Sequence, residues 1–254
     1  MNLRPLTVTF LVTLMTAALT LAVTGCNDAP GKPKVASEVA NPDQVLDFAT
    51  LYGQNCAACH GDHGKNGAAL SLANPVYLSI ASAADMQRVI AAGVPGTMMP
   101  GFSKAAGGML TDRQISILAQ GMLSSWSNAA ELAGQTPPPY KSSLQGDAAH
   151  GNSAYALYCS SCHSVDEASS SVGIREARAK AGSLIDPAYL ALISDQGLRS
   201  AIIAGQPGQG MPDWRGHKNG SQAHALSDQE VTDIVAWLAA HRATAPGQPY
   251  QQSQ

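Results

Sequence analysis

The chain has 254 residues, which allows one large domain or two small ones. Only 5% of residues are aromatic, and 24 Gly and 15 Pro dilute the remainder, so two well-filled cores are hard to build from side chains alone. Net charge is −3, from 15 Lys+Arg against 18 Asp+Glu, too weak a balance to imply a nucleic-acid or other polyanionic partner.

Arg4 is the one charge ahead of an apolar run from Leu6 to Val23, a short basic region followed by a hydrophobic one as in an export signal. The run ends in Val23-Thr24-Gly25-Cys26, which resembles a bacterial lipobox. The resemblance implies cleavage after Gly25 and diacylation of Cys26. An uncleaved membrane span is the competing reading, since about 18 apolar residues just cross a bilayer. Both place the rest of the chain outside the cytoplasm and at a membrane. Residues 26–41, with Pro30, Pro33 and small side chains, read as a tether.

Asn41-Pro42-Asp43-Gln44 offers an N-cap, a proline at the first helical position and Gln at N3. A helix is expected from there into Cys56-Ala57-Ala58-Cys59-His60, and C-x-x-C-H reads as a c-type haem attachment site. Residues 85–92 read as a helix ended by Gly93. A Gly- and Pro-containing loop follows, through Met98-Met99-Pro100. Thr111-x-x-Gln114 is a capping box opening the last helix of this half, whose Ile115, Leu118 and Met122 share one face. Gln135-Thr136-Pro137-Pro138-Pro139-Tyr140 reads as a semi-rigid proline linker.

The second half repeats the first. Cys159-Ser160-Ser161-Cys162-His163 repeats the attachment motif, and Tyr155 precedes Cys159 by four residues as Tyr52 precedes Cys56. Asp186-Pro187-Ala188-Tyr189-Leu190 matches Asn74-Pro75-Val76-Tyr77-Leu78. Residues 195–204 read as a helix ended by Gly205, and residues 204–212 match 92–100 without a gap, placing Met211 against Met99. Ser227-x-x-Glu230 opens the last helix, with Val231, Ile234, Val235 and Leu238 on one face. Two insertions distinguish this half: about nine residues around 167–183, and four in the segment that holds His217 and His224. No convincing alternating strand occurs.

With these motifs the chain resembles the class I cytochrome c family in tandem, over roughly 42–128 and 146–242. The resemblance implies an all-α fold: two class I cytochrome c domains, each a small helical bundle around a covalently bound haem, with N- and C-terminal helices crossing. The expected division is 1–25 signal peptide with lipobox, 26–41 tether, 42–128 first domain, 129–145 proline-rich linker, 146–243 second domain and 244–254 tail. Two porphyrins would supply the apolar mass that the composition lacks. One departure stands out. The family places an aromatic on the C-terminal helix facing the N-terminal one; Trp237 fits in the second half, but Gly121 holds that place in the first, which predicts looser packing there.

Two haem c groups are expected, bound covalently by Cys56 and Cys59, and by Cys159 and Cys162. His60 and His163 are the proximal iron ligands, and Met99 and Met211 the distal ones, with Met98 a neighbour or substitute for Met99. Met/His ligation raises the potential, because the soft thioether favours ferrous iron. His63, His150 and His241 read as surface residues; His217 and His224 read as loop residues near Met211, either a substitute ligand. Tyr52 and Tyr155 read as core aromatics. A four-thiolate zinc site would leave both histidines, both Met-Pro loops and the repeat unexplained. A thioredoxin-like pair would need a βαβ pattern.

The expected function is electron transfer by a membrane-anchored dihaem cytochrome, not an enzyme in itself. It would pass single electrons between a respiratory or photosynthetic membrane complex and a redox partner, as carrier or complex subunit. Expected partners are a quinol-oxidising complex, a terminal oxidase or a dehydrogenase, or a soluble redox protein, together with the lipid membrane through acylated Cys26 and no nucleic acid. The expected location is periplasmic, or the outer face of a bacterial membrane. The alternative is a dihaem peroxidase or a thiosulfate-type oxidoreductase, either of which needs an open or unusually ligated iron.

Overall fold

The computed structural model describes residues 41–163, 183–216 and 224–243. The leader with Cys26, nearly all of the tether, most of the nine-residue insertion, His217 and the 244–254 tail lie outside these residues. Among the described residues there are nine α-helices, no strand, and no helix long and apolar enough to cross a membrane.

Contacts divide the chain at residue 44. Of the unit before that point only the start of the expected first helix is described: Asn41 opens just a single 3-10 turn, Pro42–Gln44. The helix into the first cysteine pair, α1 (Phe48–Asn55), starts later than the sequence pattern predicts, with the Asp47 carboxylate accepting from the Thr50 N–H at 2.8 Å. A short α2 (Ala57–His60) carries the rest of the motif. Two short helices were missed at the sequence level, α3 (Pro75–Ile80) and, in the second half, α7 (Pro187–Ala191). Each has Asn74 or Asp186 as cap and proline inside the first turn, the placement that costs no hydrogen bond. Next comes α4 (Ala83–Ala92), and both capping boxes form, opening α5 (Asp112–Trp126) and α9 (Asp228–Ala239). The second half is completed by α6 (Ala148–Tyr158) and α8 (Asp195–Ala204).

The helix crossing of the first half is narrower than that of the second, but it is filled. A Cβ on Gly121 of α5 would lie 2.2 Å from the Phe48 ring of α1. In the second half the partners trade sizes: a Cβ on Gly151 of α6 would lie 2.8 Å from the Cβ of Trp237 on α9. The repeat that aligns Tyr52 with Tyr155 also aligns Phe48 with Gly151. One large and one small residue meet at each crossing, from opposite helices. Trp126 closes the first cluster, edge-on to Tyr52 at 4.9 Å and to Phe48 at 5.3 Å.

The two halves share one apolar cluster, in which Leu51, Leu118 and Met122 join Leu190, Ile203 and Ile234. The shortage of aromatics is thus met partly by fusing two small cores into one. The proline linker is docked into this seam. Tyr140 is buried, with its ring 6.5 Å from that of Tyr77. Its carbonyl accepts from Gln196 at 2.7 Å, and Arg199 donates to the carbonyls of Pro139 (2.7 Å) and Tyr140 (3.2 Å). The Arg199 side chain, 6% exposed, also pairs with Asp228 and donates to the Thr232 hydroxyl. Lys141 reaches Asp85 at 3.0 Å, and Arg215 donates to the Glu131 carbonyl at 2.9 Å.

Candidate haem-attachment sites

The attachment motif lies where α1 gives way to α2. Cys56, half-buried, ends the first helix, and Cys59, exposed, and half-buried His60 follow within the next turn. Both thiols are free, as are those of Cys159 and Cys162. Burial pushes the Cys56 thiol up to about 11 and the Cys159 thiol to about 12. The His60 ring is held from behind: Nδ1 lies 2.8 Å from the Leu70 carbonyl. A carbonyl partner fixes Nδ1 as the protonated nitrogen and leaves the Nε2 lone pair for a metal. Burial lowers the pKa of His60, which favours that neutral form.

Tyr52 and Tyr155 are buried as the sequence predicts, and each has a further task. The Tyr52 hydroxyl donates to the Gly61 carbonyl at 3.0 Å, and that of Tyr155 to the His163 carbonyl at 2.6 Å. Each ties its N-terminal helix to the end of its attachment motif. Burial pushes the Tyr52 hydroxyl up to about 12, so it stays a donor at any physiological pH.

The methionine loops are built alike. Gly93 and Gly205 end α4 and α8 with φ of +70° and +62°. A Cβ on Gly93 would lie 2.7 Å from the Met99 carbonyl oxygen, and one on Gly205 would lie 2.3 Å from that of Pro212. Only glycine fits such a pivot without strain. From it, the Val94 N–H donates to the Met99 carbonyl at 3.0 Å and the Gln206 N–H to the Met211 carbonyl at 2.9 Å. The gapless match of Met99 to Met211 is therefore a match of backbone hydrogen bonds. Met99 packs against the core, whereas Met98 is 80% exposed. Met211 is half-buried. Sequence reasoning overlooked Phe102 and Trp214, whose carbonyls accept from Leu110 and Leu226, each at 2.8 Å, and close both loops the same way across the four-residue insertion. An aromatic at the same offset in both repeats was the available signal.

The remaining histidines divide. His63 and His150 are exposed, beside Asp62 and Asp147. His241 is not a free surface residue: Nδ1 is 2.9 Å from the Trp237 carbonyl and the ring stacks edge-on against the indole. His224 is engaged by the Tyr158 hydroxyl and the Glu230 carboxylate, each 3.0 Å from Nε2. Among the described residues no three His, Cys, Asp or Glu side chains gather as a metal cluster.

The family described as cytochrome c oxidase, cbb3-type, subunit III matches residues 43–120, and the cytochrome c family matches residues 148–242. The chain therefore carries two cytochrome c domains in tandem in an all-α fold, and such domains imply covalently bound haem c and electron transfer. A solved structure, the reducing HAO-like protein complex of Kuenenia stuttgartiensis, is 20% identical at a TM-score of 0.42, covering 81% of this chain and 100% of that chain. Comparison with the curated proteins finds no match. The donor set fits the implied group: in each half two free thiols flank one turn, the next residue is histidine, and a thioether stands on a loop pinned by backbone bonds.

Proposed function

We propose that the protein is a dihaem electron relay, with one haem c held by Cys56 and Cys59 and a second by Cys159 and Cys162. His60 and His163 take the proximal iron positions, Met99 and Met211 the distal ones. Bound haem supplies a one-electron couple, and the chain's work is to keep its ligands fixed as charge comes and goes. The observation that carries this reading is the duplicate loop: the methionine before the proline is held in both halves by the same backbone bond, from the residue that follows the same glycine pivot. The Leu70 carbonyl behind His60 does the corresponding work on the proximal side. A thioether on each iron favours a relay over an enzyme, because neither metal is left open.

Cleavage after Gly25 and acylation of Cys26 would anchor the relay outside the cytoplasm, on the periplasmic or outer face of a bacterial membrane. The partner is a membrane redox complex, a proposal supported by the match of the first domain to a subunit of cbb3-type cytochrome c oxidase.

Ferric and ferrous absorption spectra with a redox titration test the ligation. A far-red thioether-to-iron band worth two haems, with positive potentials, is expected. A half-strength band or a high-spin component would overturn the relay and bring a peroxidase-like reading forward. Radiolabelled palmitate incorporation, lost in Cys26→Ala, tests the anchor.

A further inference from the structure

Asn74 and Asp186 occupy equivalent positions and do the same local job. Asn74 Oδ1 accepts from the N–H groups of Val76 and Tyr77, as the Asp186 carboxylate accepts from those of Ala188 and Tyr189. Yet one is an amide and the other an acid. Asp186 is exposed, whereas Asn74 is 5% exposed and lies in the seam between the halves. There its Nδ2 donates to the carbonyls of Ala204 at 2.8 Å and Gly205 at 3.2 Å. Every hydrogen-bonding position of the amide is used. A carboxylate would cap the helix equally well but would set an anion against two carbonyl oxygens.

The bonded carbonyls are at the last residue of α8 and at the glycine pivot from which the Met211 loop departs. Asn74 also ends the segment that begins at Leu70, whose carbonyl holds His60. That segment is fixed by bonds to the Gly64 carbonyl from the Ser71 hydroxyl (2.8 Å) and the Ala73 N–H (3.1 Å). One stretch of the first half thus backs its own histidine at one end and grips the methionine loop of the second half at the other.

We propose that Asn74 is a positioning residue for the distal ligand of the other domain: its amide, reaching across the seam, holds the Gly205 pivot and so keeps Met211 in place. The proposal rests on the reading of Met211 as an iron ligand, and two measurements on the full holoprotein separate the two. The first is imidazole titration, which reports how readily the thioether is displaced. Asn74→Asp and the uncharged, shorter Asn74→Ser both keep a capping oxygen and lose the amide N–H groups that reach Ala204 and Gly205. Each is expected to raise imidazole affinity about tenfold at one haem, as follows from losing the one of these two buried hydrogen bonds that is made to the Gly205 pivot itself. That haem is the one whose thioether is absent in Met211→Ala, and Asp186→Asn leaves both haems unchanged. The second is amide hydrogen exchange at Gln206 and Met211, which speeds up in the two Asn74 variants whatever binds the iron. Unchanged exchange together with unchanged imidazole binding in folded Asn74→Ser would overturn the proposal, and so would an equal change at both haems. Faster exchange in a protein with no thioether band would retain the grip of Asn74 and refute the ligation.

Discussion

Met98 and Met99 are the same side chain one position apart, and the backbone decides between them. Met99 is bonded to Val94 through its carbonyl and packed on the core; Met98 projects into solvent. Met99→Ala is therefore expected to remove half of the far-red thioether absorbance and to lower the potential of one haem. Met98→Ala should leave spectrum and titration unchanged. Loss of the band in Met98→Ala instead would show that the exposed thioether swings in when haem is bound. Which methionine the loop holds could be read from sequence because the repeat aligned Met99 with Met211 without a gap. The partners behind the ligands could not: the carbonyl that holds His60 belongs to Leu70, and a backbone oxygen leaves no mark in composition.

At the scale of the helices, Gly121 would ordinarily be a weak point, since Gly→Ala in an open helix interior gains up to about 1 kcal/mol. Here the added methyl meets the Phe48 ring, so Gly121→Ala should instead cost about 1–3 kcal/mol, the usual range for overpacking. Urea denaturation checks the sign, and Phe48→Ala in the same chain should recover part of the loss. Strict additivity of the two changes would rule out their contact. The capping boxes at Thr111 and Ser227 and the glycine stops at Gly93 and Gly205 were legible because each is a local pattern. The late start of α1 at Phe48 was missed because Asn41-Pro42 imitates a cap, whereas the oxygen used belongs to Asp47. The Phe48–Gly151 exchange was within reach of the repeat alignment, but its meaning depends on which helices cross.

For the whole molecule, the proline linker has become part of the core. Its composition describes a spacer, and only the tertiary structure shows Arg199 and Gln196 taking its carbonyls while Tyr140 is buried. Arg199→Met should cost about 3 kcal/mol, because it removes the cation beside the Asp228 carboxylate and the donor to the Pro139 carbonyl of the seam. A loss confined to one of two separable unfolding transitions would show that the halves melt independently. Asp85 adds a dependence on pH. The Ser82 hydroxyl, with Lys141 and Arg88, holds its carboxyl well below the usual carboxylate range. A depressed folded value means that stabilisation is complete above the unfolded-state value of about 4 and is lost as pH falls through the folded value. Urea midpoints of the native chain and of Asp85→Asn should therefore converge on acidification, and a gap that stays constant down to about pH 2 would show that the carboxylate is not linked to folding.

Tandem domains ordinarily move against each other. A linker bonded along its length, an amide bridging the halves and a shared apolar cluster leave little for a hinge to do. In the proposed relay, the gap that an electron would cross between the two domains is then a constant of the fold, not the average of a swinging motion. Passage from one domain to the other should proceed at the same rate in buffer and in thick glycerol, while delivery to an outside partner slows with every increase in viscosity.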